Sequence, residues 1–154
     1  MVKATVGATL MRTLVPAFAA VVPADVDVRL GYGVTDSPAD YVLVGADDPF
    51  SDQPAPMVDG DSDFLYTGAV NRTESGGINC VAFVSTGDTD TDIALTRLEA
   101  VLDALATALR ADPDLTSIPE LMWCHLSVTR IDSDQNRNGT WALGVFRVLF
   151  KAQL

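Results

Sequence analysis

The chain has 154 residues, 48% of them hydrophobic and 20% charged, the size and composition of one globular domain rather than a disordered chain. No apolar run nears the roughly 18–20 residues of a membrane span, and Arg12 interrupts any leader-like pattern after Lys3, so the chain reads as soluble and cytosolic. The 21 acids against 10 bases give a net charge of −11, which repels a nucleic-acid backbone and speaks against direct DNA or RNA binding.

Val6, Leu10, Leu14, Phe18 and Val22 recur every four residues, which predicts a helix over roughly 4–20 that Pro16 should kink or split. Val26, Val28, Leu30 and Tyr32 alternate with Asp25, Asp27, Arg29 and Gly31, the period of a strand with one wet face. The run 41–45 reads as a more buried strand. Residues 45–63 hold six aspartates and three prolines. They predict an acidic variable loop that is either simply solvated or a docking loop with Phe50, Met57 and Phe64 as apolar anchors. Two strands, 64–71 and 77–86, are expected around a turn at Asn71–Gly77. The strongest helix spans about 89–111, with the stripe Ala94, Leu98, Val101, Leu102, Leu105, Ala108 and Leu109 and a stop at Asp112-Pro113. Strands at 121–131 and 140–152 then form a long hairpin around Asp132–Gly139, closed by Asn138-Gly139. The expected fold is α+β, a single domain over 1–154 with a mostly antiparallel sheet and two helices packed on one face.

Little in this chain can run chemistry. His125 is the single histidine, and Cys124 beside it points to the opposite face of a strand, so a Cys-His pair cannot easily meet. His125 is expected to be a solvent-side or interface residue. Cys80 and Cys124 lack metal spacing and read as buried free thiols. Gly31-Tyr32-Gly33 lacks the third glycine of a dinucleotide loop, where Asp36 stands. Asp88-Thr89-Asp90-Thr91-Asp92 has Ile93 where a calcium loop needs glycine, and caps on the following helix explain it better. Asp134–Gly139 has Val145 in place of the last calcium ligand, and Asp59–Asp63 lacks both features. We therefore expect no enzyme, no catalytic set, no cofactor and no metal site.

The order of elements, with Gly31-Tyr32-Gly33, Ile78-Asn79-Cys80-Val81-Ala82, Ser85-Thr86-Gly87-Asp88, Ala111-Asp112-Pro113 and Gly144–Ala152, resembles the tail terminator proteins of long-tailed actinobacterial phages. The resemblance covers most of the chain outside 46–64. It implies a virion protein of the tail-neck region, assembled in the host cytoplasm. Such a protein forms a hexameric ring on the major tail tube protein, docks a head-completion or connector protein, and lets phage DNA pass through its lumen without specific binding. It would have no membrane partner. Head-completion and minor tail proteins of the neck share this size and pattern. A different class, an acidic inhibitor that mimics nucleic acid to bind a basic host protein, fits the charge as well.

Two sets of candidate contact residues follow from pattern. Asp47, Asp48, Asp59, Asp61 and Asp63, with Phe50, are the candidate lumen or docking loop. Leu143, Val145, Arg147 and Leu149, on the nominally wet face of the last strand, are the candidate subunit contact, because apolar residues on both faces need a second cover. Six copies at −11 would carry a formal −66, six times −11, so assembly is expected to depend on salt or Mg²⁺.

Overall fold

The structure, a computed structural model, describes residues 4–31, 40–49, 51, 56–64, 72–137 and 139–154, with the side chains of Asp63 and Phe64 left aside. Phe50, the expected strand over 65–71 and the Asn138 half of the hairpin signal lie outside the described residues. The elements in chain order are α1 (Gly7–Ala19), β1 (Asp27–Leu30), β2 (Tyr41–Val44), β3 (Val58–Phe64), β4 (Arg72–Thr86), α2 (Thr91–Ala111), β5 (Leu121–Asn136) and β6 (Gly139–Gln153). They build the expected α+β fold, one six-stranded sheet in which only β1 and β2 run parallel. No helix among the described residues is long and apolar enough to cross a membrane.

β4 organises the sheet. On one side it pairs with β6 from Thr73 to Thr86; on the other it pairs first with β3 and then, from Cys80 to Phe83, with β2. Period-two alternation sends Ile78, Cys80, Ala82 and Val84 of β4 to the helices, together with Phe146, Val148, Phe150 and Ala152 of β6. There they meet Leu10, Leu14 and Phe18 of α1 and Leu98, Leu102 and Leu105 of α2 in the main core.

Both helices are fixed at their ends. The Asp90 side chain accepts the Asp92 N–H at 3.0 Å and caps α2, and Arg110 stands in its last turn, where a cation suits the helix dipole. α1 starts three residues later than the stripe suggests. Its first turn is held from outside, by the β4 carboxylate of Glu74, which accepts the Val6 N–H at 2.9 Å and the Thr5 hydroxyl. Pro16 does not split the helix: it lies in the last turn, where it lacks the N–H that would bond the Arg12 carbonyl, and the Ala20 N–H bonds back to the Pro16 carbonyl. Asp40, 6% exposed, ties α2 to the sheet. It accepts the Ser85 N–H at 2.9 Å and pairs with Arg97, whose guanidinium also donates to the Ser85 carbonyl.

Three expectations are corrected. The stretch Val58–Phe64 is a strand, so the acidic connection is shorter than 45–63. Asp59, Asp61 and Asp63 alternate with Val58, Gly60 and Ser62, a wet-faced strand whose small residues hide its period. Residues 72–77 are no turn but the start of β4, their polar groups satisfied by β3 on one side and β6 on the other. The hairpin is also tighter than Asp132–Gly139: β5 runs to Asn136, opposite Gly139, which takes φ +123°.

Candidate functional site

The face of the sheet turned away from the helices is itself largely buried. Leu43 of β2, Val81 of β4, and Leu143 and Val145 of β6 form a second apolar cluster with Ala46. Leu143 is 1% and Val145 8% exposed, so the expected subunit contact is corrected at these two positions: their own chain covers them. The chain leaving β2 turns across this face. Ala46 packs into the cluster, and the Asp48 carboxylate reaches Arg130 on β5. Both ends of the connection meet at Asn79, whose carbonyl accepts from Gly45 and Ala46, while its N–H donates to the Met57 carbonyl and its amide to that of Pro56. Burial, and then the Asp48 carboxylate, push the Tyr41 phenol above its usual range.

The acidic set divides between two places. Asp47 and Asp48 belong to the turn over the second face, where the Asp47 side chain accepts the Asp48 N–H at 2.8 Å. Asp59 and Asp61 lie on β3. Arg147 of β6 crosses the sheet diagonally over Gly77 of β4 to pair with Asp59. A Cβ on Gly77 would sit 2.3 Å from the guanidinium, so a side chain there would make Arg147 shift. Arg147 thus holds its own sheet together, and of the four expected contact residues Leu149 alone stays half-buried without an ion pair.

Exposed apolar surface is concentrated on β5, which forms one edge of the sheet. Met122, Trp123, Val128 and Ile131 are 38–49% exposed, and Trp123 stacks on His125 with ring centroids 5.2 Å apart. The edge is partly guarded. The Pro113 carbonyl takes the Cys124 N–H at 2.7 Å, and register shifts fall on either side of the run 123–128.

At the other end of the second face, Tyr41, Phe83 and Trp141 form a stacked aromatic ladder, with centroids 4.9 Å and 6.0 Å apart. Beside it lies a groove of about 430 Å³, bordered also by Thr86, Asn136 and Thr140. The Thr140 hydroxyl is buried without a hydrogen-bond partner. Neither the β5 surface nor this groove was singled out from the sequence. The signal was present in Met122-Trp123 and in Trp141, large apolar and aromatic residues near the ends of the two long hairpin strands.

Both cysteines are free and buried, as expected. Burial pushes the Cys80 thiol up to about 12 and the Cys124 thiol up to about 11, the latter with help from Asp112 and Asp114. Among the described residues no three His, Cys, Asp or Glu side chains gather in a group that could hold a metal. Asp88 and Asp90 spend their carboxylates on the backbone amides that open α2. Compared with known proteins, the chain matches no family model, and no curated sequence is significantly similar to it.

Proposed function

We propose that the chain is a structural subunit that assembles side to side into a closed ring, as the tail terminator that caps the head-proximal end of a phage tail tube. The observation that carries the assembly reading is β5. A 16-residue edge strand with four large apolar side chains 38–49% exposed is an aggregation hazard in a monomer and a contact surface in an oligomer. The tail-neck assignment, with the tube protein and the head connector as partners and DNA as a passing cargo, rests on the resemblance in the order of elements. A negative surface suits that cargo, because like charge removes the counterion release that drives DNA binding.

Native mass spectrometry and negative-stain imaging of the purified chain, with and without Mg²⁺, test the reading. A ring near six times 16.4 kDa supports it. A monomer in solution that also fails to bind the ends of purified tail tubes overturns it.

A further inference from the structure

The two ends of the second sheet face carry complementary chemistry. In the β5–β6 ladder Trp123 stands opposite Lys151, and Asp134 stands opposite Trp141. One end thus presents an exposed indole beside a cation. The other presents an aromatic-lined groove beside an anion, with Asp88 and Asp90 adding negative charge beyond Gly87 and Arg137 a cation in the turn, while Arg97, which donates to the Ser85 carbonyl, is paired with Asp40 and Asp25. Asp112 and Asp114 lie near the indole end, but beside Cys124, which faces the helices.

We propose that these two ends are the two halves of one contact between copies of this chain: Trp123 of one copy enters the groove beside Tyr41, Phe83 and Trp141 of the next, and Lys151 meets Asp134. The groove, about 430 Å³, falls within the roughly 300–1,000 Å³ of sites that enclose a ligand group. Its polar border, with Ser85 and Asn136, offers acceptors to the indole N–H, the polar end that a buried Trp has to satisfy. A Trp in an aromatic pocket, flanked by a charge pair at the rim, is the common form of an interface hot spot. Lys151 and Trp141 are ten residues apart on β6, roughly 33 Å at strand rise. Two different patches that far apart can meet head-to-tail and repeat around a ring, the arrangement proposed here, whereas a two-fold pair has to satisfy both contacts at once. This inference rests on the ring reading and names the residues that would close the ring.

The test compares the self-association of the full chain and of Trp123→Ala, Lys151→Glu, Asp134→Lys and the double reversal, by native mass spectrometry and sedimentation over a concentration series. Circular dichroism checks that each variant is folded. Trp123→Ala should weaken association by about 30-fold or more. Each charge reversal should weaken it by about 5–10-fold, and the double reversal should return it to within about threefold of the parent. Folded Trp123→Ala that still forms parent-like rings overturns this contact and leaves the ring reading standing. So does a double reversal no better than its singles. A parent chain that never associates overturns the contact and the ring together, and one that stops at a two-fold dimer overturns the head-to-tail arrangement and the ring.

Discussion

Leu143 separates a second core from an open contact face. It is 1% exposed and packs with Leu43, Ala46, Val81 and Val145 on the side of the sheet away from the helices. Replacing it with Ala removes apolar side-chain volume that is out of water in the isolated chain. The transfer part of that loss is about 2 kcal/mol, and a cavity term adds to it, giving the usual range of about 2–5 kcal/mol for Leu→Ala. Five buried residues make a small cluster that can partly collapse, so we expect about 2–3 kcal/mol. In a chain of this length that lowers the melting temperature by about 5–10 °C. Leu98→Ala, in the larger helix-side core, should cost about 3–4 kcal/mol. Urea unfolding followed by circular dichroism, at a concentration where the parent is monomeric, reads both. A loss below about 1 kcal/mol for Leu143→Ala, with assembly impaired, would mean that the second face is open in the free chain and would refute the burial argument. By the same reasoning Val145→Asp, which buries a carboxylate, should unfold the monomer rather than dissociate an oligomer.

Other outcomes follow from single features. Gly77→Ala should push Arg147 off Asp59, which thermal melts would register as a loss together with a weaker salt dependence. Asp90→Ala should remove about 1 kcal/mol through the α2 cap, visible in urea unfolding, whereas Asp61→Ala on exposed β3 should change stability by less than about 0.5 kcal/mol. The folded thiols should resist alkylation at pH 8 and react only on unfolding. Because their pKa values rise from an ordinary 9.0 to about 12 and about 11, the folded state holds its protons longer than the unfolded one. That contribution is fully present below pH 9 and is lost progressively as pH rises toward those values, so unfolding free energy should fall with pH there. Ring yield should rise as salt or Mg²⁺ is first added to a low-salt solution, and a yield indifferent to both contradicts the charge argument.

Where a residue's neighbours in sequence also settle its environment, the fold could be read directly. The α2 stripe, its Asp90 start and its Asp112 stop are local, and so is the alternation of Phe146, Val148 and Phe150. The failures are non-local. The start of α1 is set by Glu74, 68 positions away from Val6. β3 escaped notice because Gly60 and Ser62 alternate with aspartates, so neither face carries the apolar signal of a strand. Leu143 and Val145 do face away from the helices, but they are buried with Leu43, Ala46 and Val81, with Tyr41, Phe83 and Trp141 packed against them, which no periodicity announces. The residues proposed for the contact between copies were missed for a related reason. Trp123 and Trp141 sit at opposite ends of a hairpin, and their complementarity appears only once the β5–β6 register places Lys151 and Asp134 beside them.

The charge imbalance takes on a sharper meaning once the ion pairs are placed. Arg29 pairs with Asp27, Arg97 with Asp40 and Asp25, Arg130 with Asp48 and Asp132, and Arg147 with Asp59. Among the described residues, Arg97, Arg130 and Arg147 are therefore committed to joining separate segments of the chain. Lys151 has no such pair among the described residues, and it stands beside an exposed indole on the sheet face. In a chain carrying −11, two copies repel at most orientations. The approach that sets Lys151 against the acidic groove end is among the few that lower this repulsion, so the same imbalance that opposes assembly also selects its geometry. Salt would then act in two directions: it relieves the general repulsion between copies and weakens the Lys151–Asp134 attraction. Assembly should accordingly peak at intermediate ionic strength in the parent chain. In Lys151→Glu the maximum should disappear and association should rise with salt throughout, because repulsion alone is left to be screened.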